Sequence, residues 1–237
     1  MDHLPYDFAD RVVRKLNREP NIHFLSQLQS RIWTSSADKR FSIQKAWLDM
    51  SSEADGIFVQ TVPQDVDLTK WSFQTYELIG LRFDDRLLYP ERMRLEGNVL
   101  QTVLKVVQDQ PFPLSSITVC AKTFPQDHAA IFNSILDAVP AVQHIVGFNF
   151  KSSLTGSTSF ASKTIREMRL INNRFLSPQL VPEVVQKVES GHMKHFYLSL
   201  ARTDEDALEE LIDAVKDAGS CRVFHLGGGK GLEWYSH

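Results

Sequence analysis

The stretch IREMRLINN, residues 165–173, contains the pattern that decides the fold, with apolar residues at Ile165, Met168 and Leu170. The spacing is apolar, two residues, apolar, one residue, apolar. Six copies of it occur along the chain. They are Leu78/Leu81/Phe83, Leu114/Ile117/Val119, Ile145/Phe148/Phe150, Ile165/Met168/Leu170, Met193/Phe196/Leu198 and Cys221/Phe224/Leu226. Apolar alternation of this kind predicts six short strands, each with one buried face.

Most of the segments between these strands have a helical pattern instead. The helical stripes are Leu100/Val103/Leu104/Val107, Ile131/Ile135/Leu136/Val139, Val181/Val184/Val185/Val188 and Leu208/Leu211/Ile212/Val215. The last three strand copies start 28 residues apart, and Leu180 and Leu208 in the helical segments are also 28 apart. Strand and helix therefore repeat together as one unit. Residues 151–163 lack the helical pattern, which predicts a loop there.

The copy at residues 165–173 resembles the leucine-rich-repeat signature L-x-x-L-x-L-x-x-N, with Asn173 at its last position. The other copies have different residues there: Arg86, Lys122, Ser153, Ala201 and Gly229. The resemblance implies an α/β fold for residues 51–237. This fold would be a leucine-rich-repeat-like β/α solenoid, with a short parallel sheet and outer helices. The alternative is an unrelated α/β domain whose strands share the apolar pattern.

Residues 1–50 form a separate piece with three apolar stripes. The stripes are Phe8/Val12/Leu16, Ile22/Leu25/Leu28/Ile32 and Ile43/Trp47/Met50. They predict three short helices. The polar segment SSEADG at residues 51–56 is typical of a boundary before the repeats.

The pair Leu4-Pro5 ahead of an amphipathic helix, with Trp47 further along, resembles an F-box. The opening is also similar to that of divergent nematode F-box families. In that family a three-helix module docks onto a Skp1-type subunit of a cullin ubiquitin ligase, and leucine-rich repeats behind it hold a substrate. The resemblance implies that a Skp1-type protein docks on Leu4, Pro5, Phe8, Val12 and Leu16. Otherwise residues 1–50 would only cap the first repeat.

Alternate residues of a strand face opposite sides of the sheet. Residues between the recurring apolar positions are therefore expected to line the face that binds a protein target. The candidates are Arg82, Asn149, Glu167, Arg169, His195, Tyr197 and His225. Arginine, histidine and tyrosine combine contact area with hydrogen bonding, and tyrosine and arginine are enriched at protein interfaces. The centre of binding is therefore expected at Arg169, His195, Tyr197 and His225.

Motifs of catalysis, cofactor binding or metal binding do not occur in the sequence. Gly-x-Ser-x-Gly, His-Glu-x-x-His and the Walker A phosphate loop are absent. The glycine-rich stretch at residues 227–231 has no Ser or Thr after Lys230, which favours a plain turn. The two cysteines, Cys120 and Cys221, do not have zinc spacing. No cofactor or metal ion is therefore expected, although an α/β enzyme whose catalytic groups meet only in space stays open.

Charge and composition narrow the partner classes. A net charge of −3 does not favour nucleic acid, and no apolar run is long enough to span a membrane. Two cysteines fit a reducing compartment, the cytoplasm or the nucleus. The sequence thus predicts a non-catalytic protein-recognition adaptor, or an interaction scaffold whose first helices are only a cap. The last strand would have an unpaired edge unless residues 231–237 pair with it.

Overall fold

The computed structural model describes residues 5–16, 24–28, 30–84, 91–111, 113–120, 124–148, 165, 167–173, 186, 189, 193, 195–200, 213, 223–227 and 233–235. It is a mixed α/β structure. Its main described helices are α1 (Tyr6–Lys15), α2 (Arg31–Ser42), α3 (Gly97–Gln108) and α4 (Gln126–Ala138). The described strands are β1 (Gln44–Glu53), β2 (Gly56–Val62), β3 (Tyr76–Asp84), β4 (Met93–Arg94), β5 (Leu114–Val119), β6 (Val142–Phe148), β7 (Glu167–Asn173), β8 (His195–Leu200), β9 (Val223–Gly227) and β10 (Glu233–Tyr235).

The described strands form one mostly parallel sheet in the order β10-β9-β8-β7-β6-β5-β3-β1-β2-β4. Strands β3, β5, β6, β7, β8 and β9 pair in parallel. They correspond to the six predicted strands, which confirms the α/β class. Antiparallel pairs end the sheet on both sides, at β2–β4 and β9–β10. Glu233–Tyr235 pairs with β9, so the edge of the last predicted strand is covered.

A row of buried apolar side chains crosses the parallel strands. Leu81, Ile117, Ile145 and Met168 stand directly opposite one another, and each is at most 4% exposed. Helix α4 packs on this face. The centroid of its Phe132 ring lies 5.0 Å from the centroid of the Phe83 ring and 4.7 Å from the centroid of the Phe124 ring. The helical pattern places its apolar side on the sheet, as amphipathic helices do.

The register corrects the third predicted strand. Val142 pairs with Leu114 and Gly147 with Val119, so the triplet in β6 is Val142/Ile145/Gly147 and not Ile145/Phe148/Phe150. The prediction was wrong because Gly147 has no side chain, and the apolar pattern therefore matched better three residues later. The predicted site residue Asn149 lies outside the described residues.

The third predicted helix is also wrong, because residues 44–53 form strand β1. Ala46, Leu48 and Met50 are fully buried at every second position, which is strand spacing. A hairpin joins β1 to β2, with Glu53 opposite Gly56, so SSEADG comprises the end of β1, a two-residue turn and the first residue of β2. Trp47 accordingly lies on a strand and does not close a three-helix module.

The chain divides into two compact units. The helical unit is Met1–Lys45 with Trp71–Glu77, and the sheet unit is Ala46–Lys70 with Leu78–His237. The core of the helical unit consists of Ala9 and Val13 of α1 and Trp33 and Ala37 of α2. The second predicted helix is interrupted, because a turn and a bend at residues 27–28 separate helical residues 24–26 from α2.

An ion pair joins α2 to the returning segment of the helical unit. The Arg40 Nη2 group donates to Glu77 Oε1 at 2.8 Å, and Nη1 donates to Oε2 of the same carboxylate. The two side chains are only 12% and 13% exposed. A pair this well buried is costly to break, since the partner left behind keeps an uncompensated charge.

Arg40→Leu is expected to lower the free energy of unfolding by about 3 kcal/mol, because it leaves the Glu77 carboxylate buried alone. The double variant Arg40→Leu/Glu77→Leu should recover most of that loss. Chemical denaturation of both variants measures the difference. A double variant as unstable as the single one would contradict this account of the pair.

Gly80 on β3 allows Trp47 to pack closely on the sheet. A Cβ atom at position 80 would lie 2.3 Å from the Trp47 ring and 2.7 Å from the Ser116 carbonyl oxygen. We expect Gly80→Ala to lower the free energy of unfolding by about 1–3 kcal/mol, as overpacking does. Ser115→Ala, an exposed change on β5, is the control. Equal melting temperatures for the two variants would show that the contact is not restrictive.

Candidate functional site

The sheet face opposite the buried row is polar, and we call it the polar face. Its described side chains alternate with the buried ones along six neighbouring strands of the sheet. They are Trp47 and Asp49 on β1, Arg82 and Asp84 on β3, Ser116 and Thr118 on β5, His144 and Val146 on β6, Glu167 and Arg169 on β7, and His195 and Tyr197 on β8. None of these side chains belongs to the fully buried core. The polar face is therefore the candidate site.

Most of the predicted target-binding residues lie on this face. Glu167 stands opposite His195, and Arg169 stands opposite Tyr197. Arg82 lies on the same face, at the β3 end. The backbone of His225 pairs with that of Tyr197, and its side chain is outside the described part of the structure. The spacing of the apolar triplets therefore led to residues that stand beside one another on adjacent strands.

His144 is a member of the polar face that was missed from the sequence. His144 stands opposite Glu167 on β6, in the position equivalent to Ser116 on β5. The misplaced triplet in β6 assigned Gly147 and Asn149 to the polar face instead. The signal that would have found His144 is the 28-residue interval from Leu114 to Val142, which equals the later intervals.

Glu167 is the centre of a hydrogen-bonded cluster. Its Oε2 atom is 3.1 Å from Nδ1 of His144, and its Oε1 atom accepts a hydrogen bond from Nε of Arg169. The Glu167 side chain is only 14% exposed, whereas that of Arg169 is 55% exposed. Glu167 thus holds two side chains that reach solvent from a position that is itself largely buried.

A second polar cluster lies at the β1–β3 end of the face. Nη2 of Arg82 donates to Oδ2 of Asp84 at 2.9 Å. Burial raises the pKa of Asp49, the Arg82 charge opposes that shift, and the Asp84 charge adds to it. Burial also raises the pKa of the Cys120 thiol, as does Asp84. Because a nucleophilic cysteine requires a lowered pKa, Cys120 has the character of a packing residue.

Asp49→Asn tests this environment through its pH dependence. A raised pKa means that folding disfavours the Asp49 carboxylate, so the penalty is present at pH 7 and disappears as pH falls below the ordinary value of 3.8. The variant should therefore melt at a higher temperature than the wild type at pH 7, and the difference should shrink toward pH 3.5. Asp65→Asn, at an exposed position, is the control. A lower melting temperature at pH 7 would mean that attraction to Arg82 outweighs burial.

The residues expected to dock a partner lie at the start of the helical unit. Pro5 precedes α1 and is exposed, and Phe8 on its first turn is 49% exposed. Val12 and Leu16 are partly buried against the core of the helical unit. Leu4 lies outside the described residues. The described docking residues therefore split into an exposed pair and a packed pair.

Two further features of the described residues bear on function. No group of three or more His, Cys, Asp or Glu side chains in this part of the chain is placed to hold a metal ion. No helix among the same residues is long and apolar enough to cross a membrane. In comparisons with known proteins, no family model, no curated protein and no solved structure matches the chain.

Proposed function

We propose that the protein is a non-catalytic protein-recognition adaptor. Its helical unit docks a Skp1-type subunit of a cullin ubiquitin ligase, and its polar face binds a protein target. The adaptor acts by proximity: it brings the target to the ligase and makes or breaks no bond itself.

The observation that supports docking most strongly is the exposure of phenylalanine in the helical unit. Among the described residues, the large exposed apolar side chains are Phe8 (49%), Phe24 (64%) and Phe41 (48%), and all three belong to this unit. An exposed apolar patch is typical of an interaction site, and the large exposed apolar side chains of the described residues are confined to this one unit. Aromatic side chains are also enriched where proteins meet.

The packing of α1 explains why Phe8 is available. The helix buries Ala9 and Val13 against Trp33 and Ala37 of α2, so the helical unit has a core of its own. Phe8 lies outside that core. An amphipathic helix that presents an apolar residue beyond its own core is suited to insertion into a groove of a partner. Because residues 44–53 form a strand, the third predicted helix takes no part in this docking.

The order of the parallel strands supports a leucine-rich-repeat-like β/α solenoid as the target-binding part. From β6 to β9, each strand pairs with the one that precedes it in the chain, as stacked repeats do. The polar face then forms a row of side chains that one extended protein segment or one protein surface would contact. Hydrogen-bonding groups dominate this row, which suits recognition better than non-specific apolar association.

Binding to a purified Skp1-type protein tests the docking half of the proposal. The wild type should form a complex that survives gel filtration. Phe8→Asp should weaken it at least tenfold by isothermal titration calorimetry, because a charge replaces an apolar contact. Ser35→Asp adds the same charge at an exposed position of α2 and is the matched control. The proposal fails if the folded wild type forms no complex, or if the two variants bind equally well.

A further inference from the structure

We infer that the polar face binds a carboxylate side chain from an acidic segment of its target, with Arg169 as the group that receives it. The inference rests on the proposed function, because it names the chemistry of the target that the polar face would bind. It is drawn from the cluster formed by His144, Glu167 and Arg169.

The Arg169 guanidinium is held in place through one of its nitrogens. Nε donates to Oε1 of Glu167, and no other hydrogen bond to Arg169 is present within the described residues. A guanidinium bound through Nε alone keeps the N–H groups of Nη1 and Nη2 for another acceptor. These two groups match the two oxygens of a carboxylate in a bidentate pair. Since the side chain is 55% exposed, a ligand can reach them.

Glu167 is a positioning residue in this arrangement. It is largely buried, it binds Arg169, and it also lies 3.1 Å from Nδ1 of His144. Its negative charge is already paired with the Arg169 guanidinium, which weakens its repulsion of an incoming carboxylate. Orientation of the receiving group before binding reduces the entropy lost when the ligand arrives.

The surroundings of Arg169 favour an acidic partner over a basic one. His144 and His195 stand opposite Glu167 on the two neighbouring strands, and Tyr197 stands opposite Arg169. The sequences of β5, β6, β7 and β8 contain no acidic residue except Glu167. The strand positions beside Glu167 and Arg169 therefore carry two imidazole rings and a tyrosine, whose N–H and hydroxyl groups can donate hydrogen bonds, together with the apolar Val146 directly opposite Arg169 on β6.

The β1–β3 end of the polar face is more acidic than the β6–β8 end, so the two ends of the face differ in charge. Asp49 and Asp84 lie there, and the Arg82 guanidinium is already paired with Asp84. A carboxylate would meet two acidic groups at this end but only the matched Glu167 at the other. We therefore assign the acidic part of the target segment to the β6–β8 end.

Fluorescence anisotropy with a labelled hexaglutamate peptide tests the assignment on the full-length chain. The wild type should bind the peptide saturably at physiological ionic strength, and unlabelled hexalysine should not displace it. Arg169→Gln should weaken binding at least tenfold. The matched control is Arg94→Gln, which removes an exposed arginine of β4 and should leave the affinity unchanged.

Arg169→Lys separates a bidentate site from diffuse attraction, because lysine keeps the charge but loses the planar fork. We expect it to bind hexaglutamate clearly more weakly than the wild type. Equal affinities for the wild type and Arg169→Lys would overturn the inference. So would an unchanged affinity in Arg169→Gln, or no saturable binding by the folded wild type.

The two experiments fail independently. The Skp1-type protein would contact the helical unit, whereas hexaglutamate would contact the sheet unit. A Skp1-type complex without hexaglutamate binding would leave the adaptor proposal standing and remove only the acidic-target inference. Hexaglutamate binding that depends on Arg169, without a Skp1-type complex, would leave a binding scaffold that recognises acidic segments.

Discussion

The register of the parallel strands is the constraint on which the sheet unit depends. Leu81, Ile117, Ile145 and Met168 face one another across four strands and are buried together. Because side chains alternate along a strand, a slip of one residue in any strand would expose its buried members and bury its polar ones. The same register therefore sets both the core and the composition of the polar face.

The strands of the repeats could be predicted from the sequence, whereas the hairpin of β1 and β2 could not. Several strands share the same apolar triplet at similar intervals. A copy that matches the triplet poorly can therefore still be predicted as a strand from its position relative to the others. Residues 43–50 had no such support. Ile43, Trp47 and Met50 fit a helix, while Ala46, Leu48 and Met50 fit a strand, and only pairing with β2 decides between them.

Residues of the candidate site could be predicted only on strands whose register could be read from the sequence. Glu167, Arg169, His195 and Tyr197 were found because their triplets begin 28 residues apart. His144 was missed because Gly147 lacks the apolar side chain that would have marked the triplet in β6. Asp49 was missed for a different reason: its strand was taken for a helix. Contacts across strands become visible in a sequence only when every strand involved is aligned correctly.

The pairing of strands in chain order has a consequence for how this protein folds and changes. Each strand from β6 to β9 meets the strand just before it, so the sheet can grow by adding the next strand along the chain. The same order of pairing would survive duplication or loss of one of these strands with its connection, because the remaining strands keep equivalent neighbours. The length of the polar face is therefore a property that evolution can change in steps.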